Sequence, residues 1–217
     1  MYMNHEHVLS TIVLAVLLGG CGDPRGTAAS GPHDAAITAA DSILPTDRIL
    51  PMDRILPMDS MIVRYQAELP PVTALAGGAA GSLDELLTRF VTAVRDSNVA
   101  GLDAITLTEA EFAYLYFPSS IYAKPPYAQP PAVNWLLMEQ NSLKGRHRLL
   151  REYGGSPLRI DGHDCTGEPL LEGRNRIHEQ CTLRVRGSDG RVGSARLFGS
   201  ILERDGKFKL MSLANRL

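Results

Sequence analysis

The chain has 217 residues, 22 Lys and Arg against 24 Asp and Glu, and a formal net charge of −2 at pH 7. That balance supplies no basic field for holding a polyanion, which excludes nucleic acid as the expected partner. A 44 % hydrophobic share is enough to build a core, and the length suits one globular domain with tails.

The N-terminus reads as an export signal. In "HVLSTIVLAVLLGGCG" an apolar run from Val8 to Leu18 is too short to span a bilayer as a helix, and the small residues Gly19 and Gly20 follow it. Leu18-Gly19-Gly20-Cys21 resembles the lipobox of bacterial lipoproteins, whose signal peptidase cuts before the cysteine. The resemblance implies a signal peptide over residues 1–20 and a lipid on Cys21. It places the chain in the bacterial cell envelope, anchored to a membrane with its domain outside the cytoplasm. Acyl chains on one cysteine anchor stably because each buried CH₂ contributes about 0.8 kcal/mol.

Residues 21–81 are rich in Ala, Gly, Pro, Ser and Asp and poor in aromatics, a composition that buries too little surface to offset the entropy of ordering it. They are expected to form a flexible tether. Within them "ILPTDR ILPMDR ILPMDS" repeats every six residues over 43–60, with Pro45, Pro51 and Pro57 in matching positions. Proline at that period rules out one continuous helix. Three copies of six residues are also too few for a solenoid. A duplicated neutral linker is the preferred account, and a docking strip of Ile-Leu pairs for another envelope protein is the other.

The folded domain is expected over 82–217. "SLDE" is a capping box: Ser82 accepts from the amide of Glu85, and Glu85 reaches back. Leu83, Leu86, Leu87, Phe90, Val91 and Val94 then fall on one helical face, to an end near Asp96-Ser97-Asn98. Thr108 to Glu111 is a second box, opening a short helix through Ala113-Tyr114-Leu115 that Pro118 stops. A third helix starts at Pro130-Pro131, runs through Trp135, Leu136, Leu143 and Leu150, bends at Gly145, and ends at Gly154-Gly155.

Beyond Gly155 the period becomes alternating. Four strands are expected: Leu158–Cys165, Arg176–Arg186, Arg191–Glu203 and Lys207–Leu213, with tight turns at Asp189-Gly190 and Asp205-Gly206 making the last three an antiparallel meander. Helices first and strands afterwards define an α+β domain. That element order over 82–217, helices packed on a curved antiparallel sheet of about four strands, resembles the NTF2-like (cystatin-like cone) superfamily. The resemblance implies the cone fold. Its members include isomerases, dehydratases and non-catalytic binding or assembly modules.

With Cys21 set aside, Cys165 and Cys181 remain, an even pair in an exported domain, and they are expected to form a disulfide. The competing reading is a metal site from His163, Cys165, His178 and Cys181. In regular strands His178 and Cys181 point to opposite faces, which counts against it, so no metal or cofactor is expected.

No HExxH, GxSxG, Walker loop or GxGxxG occurs in the chain. Isomerase-like members of the superfamily pair a desolvated carboxylate base with a tyrosine or acid donor inside the cone. Asp103, Asp164 and Glu179 are the candidate bases here, Tyr114 and Tyr116 the candidate donors, and no spacing singles out a pair. Arg184, Arg186 and Arg196 alternate along strands and read as a solvated sheet face.

Phe112 to Trp135 holds four of the seven tyrosines, the single tryptophan and five of the fourteen prolines. Its loop, 119–129, is too proline-rich for helix and too apolar to stand away from the domain. Tyr114, Tyr116, Tyr122, Tyr127, Trp135 and His147 are therefore the candidate pocket or lip. The function expected is a non-catalytic module that binds a small apolar ligand or an envelope protein. The alternative is an isomerase- or dehydratase-type enzyme.

Overall fold

The computed structural model describes residues 56–186 and 190–216. The expected signal peptide, Cys21 and most of the six-residue repeat lie outside them. In chain order come α1 (Met58–Gln66), α2 (Leu83–Arg95), α3 (Val99–Ala104), α4 (Glu109–Glu111) and a π-helical turn over Phe112–Tyr116. Two 3₁₀ turns (Phe117–Ser119 and Ile121–Ala123) lead to the long α5 (Pro131–Tyr153). Seven strands follow: β1 (Arg159–Asp164), β2 (Leu170–Glu172), β3 (Asn175–His178), β4 (Thr182–Arg186), β5 (Val192–Ala195), β6 (Ile201–Arg204) and β7 (Lys207–Leu210). The α+β class is as expected.

Local chemistry accounts for the helix starts. Ser82 accepts the Glu85 amide at 3.1 Å, while the Glu85 carboxylate reaches one residue further back than a capping box requires, to the Gly81 amide at 2.6 Å. Thr108 and Glu111 form the full reciprocal box. Asn98 caps α3, a helix the sequence pattern missed because six residues carry too little periodicity to register. The C-cap of α5 is Gly154, as expected.

The strands are ordered β1-β4-β5 in one antiparallel sheet and β2-β3-β6-β7 in the other. Two of the expected long strands, Arg176–Arg186 and Arg191–Glu203, are therefore each broken into two, and β2 is an addition. Chain runs pass from sheet to sheet at 165–169, 179–181 and 196–200. The middle run is the shortest: four residues separate Ile177 from Thr182, and five separate Asp164 from Leu170, which pair with them. Likewise four separate His178 from Leu183 while five separate their partners Ala195 and Ile201. Each flanking run thus carries one extra residue around the corner, as a bulge does. Gln180 turns the middle run with a φ of +50°, a conformation that a non-glycine residue seldom adopts. Cys165 and Cys181 join across this corner as a disulfide with a Cα–Cα distance of 3.9 Å, below the 4.4–6.8 Å expected.

Two apolar clusters fill the domain. In the first, Leu86, Phe90 and Val94 of α2 pack with Leu102, Leu149, Leu183, Phe198, Ile201 and Leu210, and Phe90 meets Phe198 edge to face at 5.2 Å. Each such side chain contributes roughly 1.5–3 kcal/mol when fully buried. The second gathers Phe112, Leu115, Tyr116 and Phe117 against Ile177, Leu202 and Met211, with Met58, Ile62 and Tyr65 of α1 packed on it.

That packing corrects the expected tether boundary at Gly81. Segment 56–81 belongs to the domain: Leu75 and Ala80 are buried, the Tyr65 hydroxyl donates to Glu109 at 2.7 Å, and Gln66 donates to the Ala113 carbonyl at 2.8 Å. Pro57 is the N-cap of α1, so the last proline of the repeat starts a helix where its missing N–H costs nothing. Composition misled because the few apolar residues here, Met58, Ile62, Tyr65, Val72, Leu75 and Ala79, join a cluster built largely from residues further along the chain.

At Gly145, the expected bend point, α5 runs on unbroken. A Cβ there would lie 1.9 Å from the Leu213 carbonyl oxygen, so the glycine lets the C-terminal segment cross the helix. Asn215 donates to the Gly145 carbonyl at 2.8 Å, Ser142 accepts the Leu213 amide at 2.9 Å, and Arg148 donates to Asn215. Lys207–Leu213 accordingly stays a strand only as far as Leu210.

Candidate functional site

A cleft of about 380 Å³ lies between α5 and the β2-β3 end of the four-stranded sheet, within the usual size range of small-molecule sites. The π-helical turn supplies Tyr116, the second 3₁₀ turn Ile121 and Tyr122, α5 Leu137 and Met138, and β2 and β3 Glu172 and Ile177. Widened turns of this kind re-aim side chains, and this one sends its two tyrosines to different partners. Tyr116 lines the cleft, while the Tyr114 hydroxyl donates to the Gln66 carbonyl at 2.7 Å.

Hydrogen bonds hold the cleft's outer wall to its floor. Asn175 donates to the Leu115 carbonyl at 2.8 Å and to Ser119 Oγ at 3.1 Å. Arg204 donates to the same carbonyl at 3.1 Å and to Asn175 Oδ1 at 2.8 Å. The Ile121 amide donates to Glu172 Oε1 at 2.9 Å. Glu172 Oε2 has no protein partner, although the residue is only 5 % exposed. Burial pushes the Glu172 carboxyl above the usual carboxylate range and the Glu179 charge adds to this; the Ile121 amide and the Lys124 charge oppose it. The buried Tyr116 phenol is pushed up as well, first by burial and then by the charges of Glu172 and Glu179 and by Tyr122. A desolvated carboxyl with a free oxygen and a phenol in the same cleft can bind a donor group, or hold and move a proton.

The other residues singled out from sequence are dispersed. Of the candidate lip, Tyr122 joins Tyr116, but Tyr127 is 61 % exposed and does not line this cleft. Trp135 packs on Phe112 at 5.3 Å and faces a second cleft on the other side of α5. His147 is exposed on α5, because the helix buries Gly145 and Leu149 and leaves Leu136 and Leu143, which set the apolar pattern, exposed. Asp103, a candidate base, is ion-paired with Arg146, and Asp164 is exposed at the end of β1. Glu179 does line the cleft, at the sheet corner. Arg186 pairs with Asp161, Arg184 is exposed, and Arg196 lines an adjoining hollow.

Among the described residues no group of three His, Cys, Asp or Glu could hold a metal. The cysteines bond each other, His178 meets Glu203 at 2.8 Å, and His163 lies 4.0 Å from Asp84. Glu172 was missed from sequence because "EPLLEG" reads as a connection, where a glutamate is expected to be solvated. Only the Phe117–Ala123 segment, arriving from fifty residues upstream, buries it.

No family model matches the chain, and no curated protein or solved structure matches it.

Proposed function

We propose that this is an exported bacterial lipoprotein, anchored through Cys21, whose NTF2-like domain binds a small molecule in the cleft beneath α5. The observation that carries the binding reading is the cleft itself: apolar Leu137, Met138, Ile177 and Met211 line it beside polar Asn141 and Ser212, and the buried Glu172 Oε2 at its wall is left without a protein partner. A concave space in which apolar walls meet convergent polar groups is a usual build of a ligand site. The anchor reading is supported by the Leu18-Gly19-Gly20-Cys21 motif, and the disulfide suits an oxidising compartment. The cone reading is supported by helices followed by antiparallel sheets whose strands turn a shared corner.

Native mass spectrometry of the purified protein tests binding. A co-purifying small molecule that is lost on Leu137→Trp, a substitution that fills the cleft, is the expected result. A second reading, proton-transfer catalysis of the isomerase or dehydratase type, is favoured by Glu172 and Tyr116 meeting in one cleft. It requires both groups to act on a single substrate, and solvent deuterium incorporation into a bound ketone, abolished by Glu172→Gln, is its test.

A further inference from the structure

We infer that the cleft takes an organic cation, a ligand with an apolar body and an ammonium-type group that pairs with Glu172. The inference rests on the small-molecule reading above and names its ligand class. Two carboxylates, Glu172 and Glu179, line the cleft, and no lysine, arginine or histidine does. An anionic ligand would therefore bring a third like charge into a partly desolvated space. Lys124 is close enough for its charge to act on Glu172 but makes no ion pair with it. Arg196 and Arg216 belong to the adjoining hollow, beyond Glu179.

The unpartnered oxygen points to the same class. Glu172 Oε1 is held by the Ile121 amide, and Oε2 meets no donor in the protein. A buried acceptor without a donor is costly, and a charged donor compensates it better than a neutral one. Tyr116 and Tyr122 line the same space, and aromatic rings attract cations where water is excluded. A metal ion does not fit: the cleft is lined by two carboxylates and by no histidine or cysteine, and among the described residues no group of three such side chains could hold one.

The test uses the full chain with its disulfide intact and three isosteric probes: 2-phenylethylammonium, 2-phenylethanol and phenylacetate. Calorimetry at neutral pH reads the affinity, and the NMR shift of the Ile121 amide locates the binding. The cation is expected to bind about tenfold or more tighter than the alcohol, the margin of one charge-assisted hydrogen bond, and phenylacetate least. Glu172→Gln keeps an acceptor for Ile121 and should erase that preference. Equal binding of cation and alcohol, stronger binding of phenylacetate, or a preference that survives Glu172→Gln overturns the cation inference and leaves the small-molecule cleft standing. If no probe binds, or none shifts Ile121, both fail. The three-probe comparison on the unaltered chain decides the matter even if Glu172→Gln does not fold.

Discussion

Glu111 and Glu172 are both buried, both beside the Phe112–Phe117 segment, and the protein treats them in opposite ways. Glu111 accepts from the Ala76 amide, from the Thr108 amide and hydroxyl, and from Lys209 Nζ at 2.9 Å. Lys209 and Glu111 are 1 % and 3 % exposed at their side chains. Every oxygen there is occupied, and the pair welds the 75–80 segment, α4 and β7 into one body. Glu172 is tied by one amide and has one oxygen left over. Full satisfaction marks a structural device, and the orphaned Glu172 oxygen is the group that the proposed ligand would engage.

Breaking the closed carboxylate should cost most. Lys209→Met leaves Glu111 as an unpaired buried charge, with an expected loss of roughly 3–5 kcal/mol in denaturant unfolding. A loss below about 1 kcal/mol would show that the two carboxylates do not differ as described.

The sheet corner that carries Glu179 toward the open carboxylate is next. Replacing both Cys165 and Cys181 by Ala should lower stability by about 2–4 kcal/mol while the fold survives. Thiol titration of the denatured, unreduced protein should find neither thiol of this pair free, and two free thiols from it would remove the staple.

Tyr65→Ala probes the edge that Glu111 secures. Its half-buried ring and its bond to Glu109 put the expected loss at roughly 1–3 kcal/mol, read as a lower Tm. An unchanged Tm would detach α1 from the domain.

Glu172→Gln sharpens the comparison with the smallest effect. The folded carboxyl binds its proton more tightly than the unfolded one. Its contribution to stability is therefore fully present at low pH and declines as pH rises from the unfolded value through the folded one. Against Gln at this position, the wild type should lose stability over that window, by on the order of 1 kcal/mol or less. A difference between wild type and variant that stays flat with pH, or runs the other way, would mean that Glu172 is solvated or paired.

Local signals in the chain determined the elements whose causes are local. Ser82 and Thr108 start helices because their side chains satisfy amides three residues on, and Gly154 ends α5; Pro118, the expected stop, instead stands inside the 3₁₀ turn Phe117–Ser119. Alternation after Gly155 marked out strands, and Cys165 and Cys181 bond each other as expected. What depended on distant partners was not legible. The long strands Arg176–Arg186 and Arg191–Glu203 break because three neighbouring runs turn one corner together, and the middle run, 179–181, carries neither glycine nor proline to mark it. Met58–Gln66 looked like tether because its docking surface, Phe112 and Tyr114, lies elsewhere in the chain. Lys209 looks like one more alternating polar residue until Glu111 is placed opposite it, and Glu172 looks like a turn glutamate until Ile121 closes over it. Burial is a property of the assembled surfaces, so the sequence alone determined the helix starts and strands whose causes are local, and only tertiary packing decided which charges are sealed in pairs and which keeps an oxygen without a protein partner.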